Sequence, residues 1–543
     1  MTDTTAPNTL ELTLQNGKDV TIVGLKSLTG THYYHITYDG VGGYVAQDLF
    51  VIAKVDARKA LLGQKVRIIS DSAWREIITA IEEVSEFAQA PLIEGPGWTG
   101  DYFAEKSGKV HSPRGRPRGI AIFPRKAART TKGRFSDWKT NLAIPMTGQH
   151  LPMIATMIGF AAPLLEISGE TQNIGFEFSG PPGTGKTTML KLTASVAYDP
   201  ALIPNFNATQ AGFESMFADH NDLPFPVDEA NLVTRGDSQF LKDFAFRMAT
   251  GTSRVTYHQP EHARFRFVFA TTSNRPFFEA LRDFDANTAD AALQRLIPIG
   301  VSVANPLGAF DELPDGFSSS GALATHVSDV IHRSFGHPMR KFLHALVYER
   351  AKDRDAFKSK VLQRIRAFET AIGIAETQQG KSRATTAFGL LYAAGDFAKY
   401  KRILPAEWDC MAACIAGYRN YQSRLPQQTP LAARLLSIAQ RPETLDLRAI
   451  DVPRLSDEAV NRHGAFIKSG VGGRVELLMT DPARRQFFPD WTLLRRSNQF
   501  IACNLRDPDH ATKQRQVRRG RSKERFYCFE LPLALLPSIG RGR

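Results

Sequence analysis

The sequence predicts an α/β protein: a core of parallel strands flanked by helices, a β-rich N-terminal region and a basic C-terminal region of helices and strands. Three observations carry this. Ile174 to Ser179, with Phe176 and Phe178 alternating, leads into Gly180-Pro181-Pro182-Gly183-Thr184-Gly185-Lys186-Thr187-Thr188 and then Met189 to Ala197, which reads as strand, glycine turn, helix. Arg264 to Asn274 is a nearly continuous apolar run with a polar end, the pattern of a strand buried on both faces. At 543 residues the chain exceeds what one hydrophobic core supports and divides into about three domains. The expected boundaries are a β-rich domain with a closing helix over 1–90, a turn-rich basic connector over 91–148, the core over 149–346, a helical lid over 347–426 and a basic domain over 431–543.

Leu10 to Val55 alternates short apolar runs with the turn signals Asp39-Gly40 and Gly42-Gly43, which predicts strands. Ser72 reads as the N-cap of a helix through Ala88 with Trp74, Ile77, Ile78, Ile81, Val84 and Phe87 on one face. In the turn-rich stretch that follows, Trp98 and Tyr102 are expected to pack. From Lys106 to Lys139 the chain carries, besides Lys106 itself, lysines and arginines at positions 109, 114, 116, 118, 125, 126, 129, 132, 134 and 139 against few acids. Such a run is either a solvated loop or a set of phosphate contacts to nucleic acid. Gln149 to Ile167 is an apolar helical segment.

The glycine turn has the spacing of a phosphate cradle. Gly180, Gly183 and Gly185 let successive backbone N–H groups point inward, Lys186 adds charge for the outer phosphates, and the Thr187 hydroxyl can ligate magnesium. The cradle proper is Gly180, Pro181, Pro182, Gly183, Thr184, Gly185, Lys186, Thr187 and Thr188, with ATP and Mg2+ as the implied ligands. Cleaving a cradled triphosphate needs a second acidic strand, and Leu223-Pro224-Phe225-Pro226-Val227-Asp228-Glu229 supplies it. Asp228 would hold the metal and Glu229 would act as base for the attacking water. Pro224 and Pro226 cannot donate to a ladder, but at alternate positions both gaps face the same side. At the tip of the third strand Asn274 is placed to sense the γ-phosphate, with Thr272 as the alternative.

Residues 253–262 are expected to form a hairpin whose Arg254, His258 and His262 either face solvent or contact DNA in a ring pore. Arg295, inside an apolar segment, needs an anion: a buried carboxylate, or a γ-phosphate on a neighbouring subunit, which would make it an arginine finger. Helical spacing recurs over 324–346, 352–374, 384–400 and 407–423. The tail ends in a hairpin of Gln514 to Arg518 and Arg525 to Leu531, with Arg515, Arg518, Arg519, Arg521 and Lys523 near its turn. Helices followed by a basic hairpin resemble a winged helix, whose wing lies along a phosphate backbone.

The formal charge of +13 fits polyanion binding as well as solubility, and four cysteines with no completing metal ligands read as reduced thiols. No apolar stretch is long enough to span a membrane, and the polar start lacks the apolar segment of a secretion signal, so a cytoplasmic location is expected.

Two resemblances follow. GPPGTGKTT, VDEA, FVFATTSNRP and ALQRL look like the Walker A, Walker B, sensor-one and arginine-finger segments of AAA+ ATPases, which implies an AAA+-like core. More of the chain, roughly Leu92 to Arg424, is similar to the family catalogued as domain of unknown function 927, through GWTGDYF, FAAPLLE, NATQAGFESMFADHND, FRMATGTSRV, QRLIPI, SFGHPMRKFL and TTAFGLLYAAGDFA. That resemblance implies an ATP-driven DNA helicase or translocase of a phage or mobile element, acting as a self-associated ring, a hexamer, with a primase or other replication proteins as possible partners. A second reading is an ATP-switched, DNA-binding replication initiator or defence assembly that does not unwind processively. A small-molecule kinase is disfavoured, because no acceptor pocket is evident in the sequence.

Overall fold

Alternation at the N-terminus produces an antiparallel meander, β1 (Thr9–Thr13), β2 (Asp19–Lys26), β3 (His32–Tyr38) and β4 (Val41–Ala46), in that spatial order. Its inner face buries Val20, Ile22, Tyr34, Ile36 and Val45 against the helices Gln47–Ile52, Lys54–Gly63 and Asp71–Ile81, which contribute Phe50, Leu61, Trp74 and Ile77. These positions come from the computed structural model of the chain, which describes residues 9–123, 130–206, 210–228, 248, 250–251, 265–282, 296–302, 305–374, 382–424, 431–448, 457–469, 475–488, 491, 515–519 and 522–531.

The third helix is shorter than its apolar spacing predicts. It starts two residues earlier, with the Ser70 hydroxyl rather than Ser72 as cap, and ends at Ile81 rather than Ala88. The reason is tertiary: β5 (Ala88–Gln89) pairs in parallel with β2, and the Glu86 carbonyl comes so close to Gly24 that a Cβ there would lie 2.3 Å from it. Val84 is buried all the same, and Phe87 stacks on His32 at 4.3 Å.

The connector folds as short strands, β6 (Leu92–Ile93), β7 (Gly97–Thr99), β8 (Tyr102–Ala104), β9 (Val110–His111) and β10 (Ile120–Ala121). Trp98 and Tyr102 are buried as expected. Trp98 ties this region to the core: its backbone N–H donates to Asp222 (2.9 Å), its indole N–H to the Pro163 carbonyl (2.9 Å), and Arg350 lies over its ring at 4.5 Å. Asp222, fully buried, pairs with Arg266 at 2.7 Å, and Gly97 leaves no room there for a side chain.

The core sheet comprises β11 (Ile174–Ser179), β12 (Leu223–Val227), β13 (Phe267–Ser273) and β14 (Leu296–Gly300), all parallel, in the order β12-β13-β11-β14. Every residue of the four strands is buried, as a sheet covered on both faces requires. The apolar segment before β11 makes two helices, His150–Ala161 and Pro163–Ser168. The first is buried almost all round, because Lys186–Ser195, Arg383–Tyr400 and Cys410–Arg424 pack against it. Gly159 permits that approach, since a Cβ would lie 2.7 Å from the Thr193 carbonyl.

The helical stretches expected after the core appear as Ser320–Arg333, His337–Lys352, Arg354–Ala371, Arg383–Tyr400 and Cys410–Arg424. The first two break at Gly336, whose φ of 76° suits glycine and which is followed by Pro338 at the start of the next helix. Asn420 ties the last helix to β14, accepting from the Gly300 N–H (2.7 Å) and donating to its carbonyl (2.8 Å). Cys410 and Cys414 are buried free thiols.

Contacts divide the chain into two units, one of Met1–Phe284 with Thr288–Arg424 and one of Asp285–Asn287 with Leu425–Arg543. The second holds a five-stranded sheet ordered β15-β16-β17-β19-β18, built from β15 (Leu445–Asp446), β16 (Ala465–Ser469), β17 (Val475–Met479), β18 (Arg515–Arg519) and β19 (Ser522–Leu531). Leu435, Leu477, Phe488 and Phe529 lie in its core. The expected terminal hairpin is the antiparallel pair of β18 and β19, each strand displaced by one to three residues from its predicted start. No helix among the described residues is long and apolar enough to cross a membrane.

Candidate nucleotide site at the end of the parallel sheet

The sequence order strand, glycine turn, helix is realised around β11. Ser179 leads into the turn, and the helix Lys186–Ser195 begins after Gly185. Gly183 and Gly185 have φ of 79° and 95°, conformations that glycine adopts without penalty. Gly180 is needed for a different reason: a Cβ there would meet the Val301 carbonyl at 2.2 Å. The turn rests on a second loop, since a side chain on Gly308 would strike the Thr184 carbonyl at 2.7 Å.

Lys186 is 7% exposed, and its ammonium donates to the Pro181 carbonyl at 2.7 Å. The Thr184 hydroxyl donates to the same carbonyl at 2.9 Å. Burial pulls the Lys186 ammonium below its ordinary pKa, while the charge of Asp228 pushes it up. Thr187, on the first turn of the helix, is exposed and Thr188 is half-buried. Backbone N–H groups at this helix start, a lysine and an exposed hydroxyl form a donor set suited to phosphate and magnesium.

Strand register supplies the acidic side. Val227 lies beside Thr271, so Asp228 and Thr272 follow level with each other, and the Thr272 hydroxyl donates to the Asp228 carboxylate. Ser179 lies beside Ser273, and the Gly180 N–H donates to the Ser273 carbonyl at 3.1 Å, so Asn274 leaves β13 level with the start of the glycine turn and is exposed. The turn, Asp228 and Asn274 therefore share the carboxyl edge of one parallel sheet, where open α/β sheets bind ligands.

The two prolines of β12 are accommodated by this register. Asp228, of the same parity as Pro224 and Pro226, donates its backbone N–H away from β13 to the Pro204 carbonyl at 2.8 Å. The missing N–H groups thus face the outer side, and the ladder to β13 is intact.

One buried group escaped the sequence reading. Glu177 in β11, between Phe176 and Phe178, reads as a solvent-facing position of an alternating strand, yet it is 1% exposed because helices cover both faces. Burial pushes its carboxyl up to about 7. It accepts the Phe277 N–H at 2.9 and 3.1 Å and so holds the turn that follows Asn274.

Glu229, Arg254, His258, His262, Arg295 and Arg521 lie outside the described residues. Arg515, Arg518, Arg519 and Lys523 are on the β18–β19 hairpin of the second unit, where the backbone register sets Arg518 opposite Lys523.

Comparison with known proteins adds three findings. A solved structure described as "SCCmec type IV Cch - active helicase" has the same fold at a TM-score of 0.63 and 17% identity, over 94% of this chain and 93% of that one. A search of curated proteins found no match. The family described as Domain of unknown function (DUF927) matches residues 43–264, starting earlier than the resemblance read from the sequence and ending before QRLIPI, SFGHPMRKFL and TTAFGLLYAAGDFA. The stretch similar to that family includes the glycine turn, Lys186 and Asp228.

Proposed function

We propose that this chain is an ATP-hydrolysing DNA helicase or translocase of a phage or mobile element, working as a hexameric ring with an AAA+-like core. The observation that carries the reading is the register that brings Asp228 level with Thr272 beside the Lys186 turn, at one end of the parallel sheet. The fold shared with a solved helicase supports it.

In this reading the N–H groups of 180–188 and Lys186 hold the phosphates of ATP, Thr187 and Asp228 hold Mg2+, Glu229 takes the proton of the attacking water, and Asn274 contacts the γ-phosphate. When bound, Mg2+ supplies charge neutralisation between the outer phosphates. Arg295 would complete the site from the adjacent subunit. The second unit, with its basic hairpin of winged-helix type, and the segment with Arg254, His258 and His262 would contact DNA.

The test is ATP turnover by the purified chain with and without single- and double-stranded DNA, together with strand displacement on a fork. DNA-stimulated turnover and displacement are expected. Turnover without displacement, and binding restricted to one sequence, would instead favour the ATP-switched initiator. Glu229→Gln is expected to retain ATP without hydrolysing it. Arg295→Ala should lose turnover and regain part of it in mixed rings with Lys186→Ala; no regain would make Arg295 structural.

A further inference from the structure

Between the connector and the helices that follow the core lies an open cleft of about 850 Å³, away from the glycine turn. Its walls come from the β9 region, the helix Phe135–Trp138, the helix His337–Lys352 and the turn after Tyr400. The cleft is cationic for a structural reason. Among the described residues no carboxylate lines it, and Glu105 and Glu349 are engaged with lining residues: buried Glu105 accepts from His111 (2.8 Å) and Arg340 (3.1 Å), and Glu349 accepts from Lys401.

What remains exposed is Lys109, Lys341, His344 and Arg402, and among the described residues no carboxylate pairs with any of them. Lys341 stands over the ring of Phe135 at 4.7 Å, which puts an aromatic surface among the cations. The turn is anchored, since Lys139 donates to the Arg402 carbonyl at 2.8 Å, so these charges are presented by a supported backbone rather than a free loop. Uncompensated cations on a fixed frame, beside an aromatic ring, are the recognition chemistry of a nucleic-acid strand: phosphate neutralisation gives affinity through counterion release, and a ring takes a base.

We propose that this cleft binds a single nucleic-acid strand, with Lys109, Lys341 and Arg402 at phosphates and Phe135 against a base. This rests on the reading that the protein acts on nucleic acid, and it assigns contacts to residues other than those of the basic hairpin and of 254–262. It also divides the basic run of the connector by role. Lys132 and Lys139 donate to backbone carbonyls of the helical region and Arg116 and Arg134 pair with Asp101 and Asp137, whereas Lys109 faces the cleft.

The experiment is fluorescence anisotropy of labelled oligo(dT) with the full-length chain across a salt series, for wild type and for Lys109→Gln, Lys341→Gln and Arg402→Gln combined. Three lost phosphate contacts should reduce the slope of log affinity against log salt by about 2 and weaken binding at 0.1 M salt by about ten- to a hundredfold. The combined variant should melt with the wild type, and Lys341→Arg alone should bind as wild type does. In an independent arm on unaltered protein, an oligonucleotide carrying 5-iodouracil should cross-link to the peptide containing Phe135.

Wild-type binding with an unchanged slope in the combined variant, or cross-links confined to other peptides, would overturn the cleft while leaving the functional reading intact. Failure of the wild type to bind any DNA would overturn both. Preference for a duplex of equal length, lost equally in the variant, would overturn the single-strand assignment.

Discussion

Replacing Thr272 with valine isolates how the sheet positions Asp228. The side chain is 3% exposed, and valine fills nearly the same volume, so the change removes a hydroxyl without opening a cavity. What is lost is the bond from the Thr272 hydroxyl to the Asp228 carboxylate. A hydrogen bond to a charged group contributes about 1.5–3 kcal/mol, and because Asp228 is half-buried, water can replace part of it. The lower figure applies, about 1.5 kcal/mol, or roughly a tenfold effect on an equilibrium that needs this carboxylate in place. The Mg2+ concentration for half-maximal ATP turnover should therefore rise about tenfold, while binding of a fluorescent ATP analogue in EDTA stays as in wild type. Thr272→Ser should restore the requirement for Mg2+ to its original level. An unchanged Mg2+ requirement in Thr272→Val would refute the reasoning, as would an equal loss of binding with and without the metal.

Glu177 makes stability depend on pH. Its carboxyl in the folded chain is raised from 4.5 to about 7, so the unfolded chain ionises first and stability falls as pH rises from about 4.5 to 7, then levels off. That rise corresponds to about 3 kcal/mol, and Glu177→Gln, which keeps an acceptor for the Phe277 N–H, should lose that fall in urea melts at pH 5 and 8; parallel curves for the two proteins would contradict it. Asp222→Ala leaves Arg266 and the Trp98 N–H without their acceptor and should cost about 2–4 kcal/mol of stability, read as a lowered thermal midpoint. Gly185→Ala and Gly17→Ala both force a side chain to positive φ, at about 1–2 kcal/mol each, but only the first should also weaken nucleotide binding.

The core was legible because its signals are local. A glycine turn between an apolar strand and a helix, and a continuous apolar run ending in Asn274, specify β11, β13 and the edge they share. Of the four helical stretches read after the core from period alone, 352–374, 384–400 and 407–423 hold to within a few residues, whereas 324–346 is two helices, Ser320–Arg333 and His337–Lys352, parted at Gly336. What was missed depends on tertiary covering. Glu177 occupies the polar slot of an alternating strand, and only the helices on both faces make it a buried carboxylate. The helix from Asp71 stops where β5 joins β2, a pairing between residues 63 positions apart that no local pattern announces. The stretch GWTGDYF, read as a family likeness, proves to have a packing reason of its own: Gly97 and Trp98 close against Asp222 at the start of β12.

The most direct measurement is ATP turnover by full-length Asp228→Asn beside wild type and Lys186→Ala, with and without single-stranded DNA. If Lys186 and Asp228 serve one phosphate site, Lys186→Ala loses nucleotide binding, Asp228→Asn still binds nucleotide in EDTA but loses at least about a hundredfold in Mg2+-dependent turnover, and DNA stimulates only the wild type. Wild-type turnover in Asp228→Asn would contradict a shared site at the carboxyl edge of this sheet.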